Sequence, residues 1–243
     1  MSELNNQLIL ISGYSASGKS ASLRNIRNQE KWFYLNCEAG KALPFANKFN
    51  DYRIEDPYQV LEAFDYATEH PDEVDGIIID SLTFLLDMYE SQYVIPAADG
   101  RKAWQNFNQF FKTIMQDKVI KFNKPTIILA HVQDFIDEAT LETKTYVPVK
   151  GALKNQGCEA YFTTVVSAKK INIKDLKDYE NPMLNITEDE EIDGFKYVFQ
   201  CRLTKKTVGE RIRSPIGLFN RKETYVDNDV QLLLDHINEY YNK

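Results

Sequence analysis

Residues Gly13 to Ser20 read Gly-Tyr-Ser-Ala-Ser-Gly-Lys-Ser and hold the densest chemistry in the chain. The spacing Gly-x-x-x-x-Gly-Lys-Ser follows an apolar run at 8–12 and precedes helix-compatible sequence at 21–26. Glycines at both ends let the backbone curl until successive N–H groups point inward, which makes a nest for phosphate oxygens. A helix beginning beside Lys19 adds the positive end of its dipole. The Lys19 ammonium can reach β- and γ-phosphates, and the Ser20 hydroxyl can ligate Mg²⁺. The expected phosphate-binding set is Gly13, Tyr14, Ser15, Ala16, Ser17, Gly18, Lys19, Ser20 and Ala21. The alternative is a Gly/Ser-rich turn with no ligand.

Three further polar residues stand where apolar strands end. Asp80 closes the run Gly76-Ile77-Ile78-Ile79. A continuous apolar run of that kind is a central parallel strand, so Asp80 emerges at the carboxyl edge of the sheet, where it can hold Mg²⁺ or cap the next helix. Glu38 follows the strand at 32–36. A carboxylate there can orient and deprotonate a water beside a γ-phosphate; otherwise it is a loop glutamate near Gly40. His131 follows the strand at 126–130, where a polar side chain can bond a γ-phosphate and pass its loss to the next loop. Gln133 can share that part.

The elements that must position these residues alternate. Strands are expected at 8–12, 32–36, 76–80 and 125–130, with β-rich runs at 160–168 and 195–203. Helices are expected at 19–27, after Pro57 as far as His70, at 81–93, through Trp104, Phe107, Phe110, Phe111, Ile114 and Met115, and at 228–241. Segments 94–102 and 131–150 read as loops, and the acidic segment 172–193 as a solvated excursion. The fold class is α/β: a mostly parallel central sheet flanked by helices, with late strands that run parallel or antiparallel to it.

The 243 residues suit one sizeable α/β domain. A net charge of −7 weakens general attraction to polyphosphates, so nucleic-acid binding needs a local basic patch. Cys37, Cys158 and Cys201 are widely spaced and make no zinc pattern or disulfide framework. There is no signal-peptide pattern and no run long enough to span a bilayer, so a cytoplasmic protein with no membrane partner is expected.

The order of Gly13–Ser20, strand-end Glu38, Asp80-Ser81 and His131 resembles the RecA-type ATPase core. So do Gly157 to Phe162 and the strand Phe199 to Leu203 with its basic turn. The resemblance covers about residues 7–220 of a single domain, 1–243, and is nearest to short single-domain RecA-like ATPases of bacteriophages linked to recombination and single-strand annealing. It implies ATP and Mg²⁺ as cofactors, Mg²⁺ at Ser20 and Asp80, and catalysis by Glu38, Lys19 and His131. That family more often has Gln or Asn where this chain has His131. Lys205 or Lys206, or else Arg211 or Arg213, would reach a neighbouring subunit's γ-phosphate in a ring or filament. Loops 94–102 and 134–150 would touch single-stranded DNA, with Arg101, Lys102, Lys144 and Lys150 as contacts. A single-strand-binding protein is a further partner, and a phage origin would put the chain in the host cytoplasm. Acids in the second loop, Asp134, Asp137, Glu138 and Glu142, leave room for an alternative: an ATP-gated regulatory or loader protein acting on a replication protein without DNA stimulation. A small-molecule kinase is the third class; the chain has no evident arginine-rich lid helix.

Overall fold

Alternation along the first strand decides how the sheet is covered. In β1 (Leu8–Gly13), Leu8 and Leu10 enter one apolar core while Ile9 and Ile11 enter the other, because successive strand residues face opposite ways. The isoleucine run repeats this: Ile77 and Ile79 on one side, Ile78 on the other. A computed structural model describes residues 5–138 and 141–242.

The main sheet has eight strands. They are β1, β2 (Trp32–Asn36), β3 (Asn50–Arg53), β4 (Gly76–Asp80), β5 (Thr126–His131), β8 (Thr164–Asn172), β9 (Phe195–Gln200) and β10 (Tyr225–Asp227). A separate hairpin joins β6 (Gln133–Asp137) to β7 (Glu142–Tyr146). The order is β10-β9-β8-β1-β5-β4-β2-β3. The six strands from β3 to β8 are parallel, β9 is antiparallel to β8, and β10 is antiparallel to β9. The α/β expectation therefore holds; of the late strands, whose direction was open, β8 is parallel and β9 and β10 are antiparallel, and β3 is added at the edge.

Helices α1 (Tyr58–Glu69), α2 (Leu82–Tyr89) and α3 (Gly100–Thr113) cover one face through Val60, Phe64, Leu85, Phe107 and Phe111. The C-terminal helix (Val230–Tyr241) covers the other with Val230, Leu233, Leu234 and Ile237. Each such side chain contributes about 1.5–3 kcal/mol by leaving water. Asp56 starts α1 by accepting the Tyr58 N–H at 2.8 Å, and Asp99 starts α3 by accepting the Lys102 N–H at 3.0 Å.

Four expectations change. The helix after the glycine loop is a six-residue 3₁₀ turn, Ser20–Asn25, where a helix over 19–27 was expected. Ser22 Oγ turns back to donate to the Lys19 carbonyl, at 2.5 Å, Ile26 leaves helical geometry and Asn28 is left-handed; short polar side chains compete for the backbone. Segment 94–102 is not all loop: Arg101 and Lys102 lie in the first turn of α3. Segment 131–150 contains the β6–β7 hairpin, while Ala139 and Thr140 of that expected DNA loop lie outside the described residues. The acidic segment 172–193 is partly buried, since Ile173 and Leu176 pack with Val198 and Tyr225 in a third small core.

Candidate active site

Parallel strands put their carboxyl ends along one edge, and the register aligns the polar termini there. Gly13 pairs with His131 across β1 and β5, and Asn36 pairs with Asp80 across β2 and β4. The loop from Gly13 then wraps over this edge. Ala16 (φ 59°) and Gly18 (φ 91°) are both left-handed, which turns successive N–H groups to one side. Glycine is required at 13 by space: a Cβ would lie 2.5 Å from Ser17 Oγ and 2.7 Å from the Ala168 carbonyl.

Lys19 is only 6% exposed. Its ammonium donates to the carbonyls of Gly13 at 2.9 Å and Tyr14 at 2.8 Å, and lies 3.4 Å from His131 Nδ1. His131 Nε2 is 3.1 Å from Glu38 Oε1. A carboxylate only accepts, so Nε2 carries the proton and Nδ1 is free to accept from Lys19. Burial lowers the Lys19 pKa to about 8, against the pull of Asp80 and Glu38.

Asp80 is 2% exposed. Its Oδ2 accepts from Ser20 Oγ and from the Tyr34 hydroxyl, each at 2.8 Å. Burial raises its pKa, and those two hydrogen bonds oppose the rise. Asp80 Oδ1 and Ser17 Oγ are both buried without a hydrogen-bond partner. These orphaned atoms beside a nest and a hydroxyl suit a polyphosphate with a divalent cation. Ser20 and Asp80 are hard oxygen donors of the kind Mg²⁺ takes, one or two from protein and the rest from phosphate and water. Among the described residues no group of three or more His, Cys, Asp or Glu side chains makes a metal site alone.

Glu38 is placed by a turn that Asn36 holds. Asn36 Oδ1 accepts the Glu38 N–H at 3.2 Å and its Nδ2 donates to the Lys41 carbonyl at 3.0 Å. The Glu38 carboxylate also receives Ser81 Oγ and Lys41 Nζ, each at 3.3 Å. The His131 hydrogen bond, helped by Lys41, pulls its pKa down to about 2 despite burial. The group is a carboxylate at any physiological pH.

Ser15 through Ala21, Glu38, Asp80 and His131 all line one cavity of about 580 Å³. Gly13 and Tyr14 do not line it; their carbonyls hold Lys19. Lys205 and Lys206 do not line it either; Lys206 is 87% exposed, 4.0 Å from Asp175. Arg211 pairs with buried Glu159 at 2.9 Å, and Arg213 donates to the Ala160 carbonyl at 3.3 Å. Of the four nucleic-acid candidates, Arg101 and Lys102 sit exposed on α3, Lys144 pairs with Asp137, and Lys150 pairs with Glu90 near Asp87.

Tyr34 and Asn36 were not singled out from the sequence. The signal was present: positions 34, 36 and 38 alternate on one side of an extended segment, and two of them are polar in an otherwise apolar run. Tyr197 and Asn228, which also line the cavity, come from distant parts of the chain and have no local signature.

No protein-family model matches the chain, and no curated protein matches it significantly. No helix among the described residues is long and apolar enough to cross a membrane.

Proposed function

We propose that the chain is a RecA-type P-loop ATPase that hydrolyses ATP with Mg²⁺. One observation carries the reading: Lys19, Ser20, Glu38, Asp80 and His131, from four separate strand ends, converge on a single cavity. In this reading the nest and Lys19 hold the triphosphate, and Ser20 and Asp80 hold the metal. Glu38 orients a water and takes its proton as the water oxygen bonds the γ-phosphorus. The bond from γ-phosphorus to the β–γ bridging oxygen breaks, leaving ADP and phosphate. Mg²⁺, held by Ser20 and Asp80, would supply charge neutralisation to the triphosphate. His131, which contacts Glu38 and Lys19, senses the γ-phosphate and passes its loss to the segment that follows.

The test is phosphate release by the full chain. Lys19→Ala is expected to abolish nucleotide binding. Glu38→Gln is expected to keep binding and slow turnover by about 10²–10⁴-fold, the usual worth of a positioned base. Equal rates for the unaltered chain and Lys19→Ala would end the proposal.

What the ATPase serves has two readings. The resemblance favours a ring- or filament-forming protein of recombination or single-strand annealing, with Lys205 and Lys206, which lie outside the chain's own cavity, reaching a neighbouring copy. The pairing of Lys144 and Lys150 with carboxylates favours the other: an ATP-gated regulatory or loader protein, since phosphate binding needs uncommitted cations. Single-stranded DNA that speeds hydrolysis at low salt selects the first; stimulation by a replication protein alone selects the second.

A further inference from the structure

The cavity has a second end that phosphate chemistry leaves unused. Strands β9 and β10 lie on the opposite side of β1 from β5, β4 and β2, so their residues border the loop away from Glu38 and Asp80. Tyr197 pairs with Lys170, three residues past the Ser12–Ser167 pairing, and so stands beyond the carboxyl edge of β1. Asn228 follows β10. Both press on Gly18: a Cβ there would lie 2.4 Å from Asn228 Nδ2 and 3.2 Å from Tyr197 Cδ1.

Asn228 is 4% exposed and its orientation is fixed. Its Nδ2 donates to the Gly18 carbonyl at 2.9 Å, so Oδ1 is the acceptor left over, and it is buried without a partner. Nearby cations are turned onto protein. Lys196 donates to both oxygens of Glu190, at 2.7 and 2.9 Å, and lies 3.2 Å from Asp227 Oδ1. Arg24 Nη1 donates to the carbonyls of Ala21 at 3.0 Å and Asn228 at 2.9 Å. This end therefore presents an aromatic face, 39% exposed, beside oxygen acceptors.

We infer that Tyr197 and Asn228 form the nucleobase subsite, where a base stacks on Tyr197 and its exocyclic amino group donates to Asn228 Oδ1. The inference rests on the ATP reading of the same cavity. An amino edge fits this end. A carbonyl at that position, as in hypoxanthine or guanine, sets oxygen against oxygen and leaves a buried acceptor unpaired, which is where hydrogen-bonding sites discriminate most. The site thus favours adenine over hypoxanthine or guanine.

The experiment is calorimetric titration with Mg²⁺ in the Glu38→Gln background, where turnover does not intrude. The ligands are ATP, ITP and inorganic tripolyphosphate. Tyr197→Ala is expected to weaken ATP about tenfold, as loss of one base–aromatic stack does, and to leave tripolyphosphate unchanged. Tyr197→Trp keeps ATP affinity. With Tyr197 intact, ITP binds about tenfold more weakly than ATP, the worth of one buried hydrogen bond. Unchanged ATP affinity in Tyr197→Ala, or equal affinity for ATP and ITP, overturns the inference. Parallel loss of tripolyphosphate in Tyr197→Ala overturns it too, by assigning Tyr197 to loop packing. If neither ATP nor tripolyphosphate binds with Tyr197 intact, the phosphate-site reading fails and takes the subsite with it.

Discussion

His131 Nε2 lies 3.1 Å from Glu38 Oε1, while the other ring nitrogen faces Lys19 Nζ at 3.4 Å. One imidazole therefore joins the loop lysine to the strand-end carboxylate. The three ammonium protons of Lys19 have three acceptors: two loop carbonyls and Nδ1. A phosphate that draws Lys19 away removes one of the two bonds that fix the ring. The position of Glu38 is thus tied to whether Lys19 is engaged.

Replacing His131 by Ala should return the Glu38 carboxyl from about 2 toward its ordinary 4.5. Carbon-detected NMR titration of the glutamate carboxyls reads this directly. The sign for stability follows. A depressed carboxyl pKa contributes stability that is present above about 4.5 and is lost as pH falls toward 2. His131→Ala should therefore show a shallower loss of stability across that window, with ATP binding retained and turnover reduced. An unmoved Glu38 titration would disconnect the pair.

Lys19 gives the opposite kind of pH dependence. Its pKa is about 8 in the folded chain and 10.5 when unfolded, so between those values the unfolded state binds more protons and stability rises with pH. The buried charge costs on the order of 3 kcal/mol at neutral pH, at about 1.4 kcal/mol per pKa unit. Burial also raises the thiols of Cys37, Cys158 and Cys201, and unfolded thiols ionise first, so their contribution falls with pH above about 9. The Lys19 contribution is therefore read as a difference: in denaturant unfolding without nucleotide, the gap in stability between the unaltered chain and Lys19→Met should shift in favour of the unaltered chain from about pH 8 to 10. A gap that does not change between about 8 and 10 would contradict the burial argument.

Tyr34 is one of two donors that hold Asp80 Oδ2. Tyr34→Phe removes the hydroxyl and keeps the ring that stacks on Phe49, with centroids 6.0 Å apart. A hydrogen bond to a charged acceptor is worth about 1.5–3 kcal/mol, so the variant should lose roughly 2 kcal/mol in urea unfolding. The Asp80 pKa should move further up, since that bond is one of two opposing the rise. Weaker Mg²⁺ dependence of ATP binding is the accompanying functional readout. Stability equal to wild type would show that Ser20 alone satisfies the carboxylate.

The four strand ends were legible because each is a local signal: an apolar run closed by a polar residue. Glu38, Asp80 and His131 needed only that rule and the parallel-sheet edge to be brought together. The 3₁₀ turn at Ser20–Asn25 was not legible, since Leu23 and Ile26 keep helical spacing while Ser22 and Asn28 pull the backbone out of it. The β6–β7 hairpin was hidden for a different reason. Four of the five residues of β6 are exposed, so no buried face imposes alternation. Contacts outside the hairpin also hold it, with Thr145 N–H donating to the Gly209 carbonyl at 3.0 Å. Tyr197 and Asn228 meet Gly18 only through the order of β8, β9 and β10, which a linear reading does not contain.

The hairpin is wired to the glycine loop through Tyr14. Its hydroxyl donates to Asp134 Oδ1, and the same oxygen accepts from Thr145 Oγ1 at 2.7 Å. Asp134 sits on β6 and Thr145 on β7, so one carboxylate oxygen spans both strands and the loop. Tyr14 takes no part in lining the cavity, and Tyr14→Phe should therefore leave nucleotide affinity near wild type. It should instead cut the tie between loop and hairpin. Hydrogen exchange across β6 and β7 is the measurement. In the unaltered chain, nucleotide binding is expected to change protection of the hairpin amides, and in Tyr14→Phe that change should be lost while protection of β1 and β5 still responds. A hairpin that responds equally in both proteins would place the coupling on the chain connection through Val132, a single residue, and not on the tyrosine.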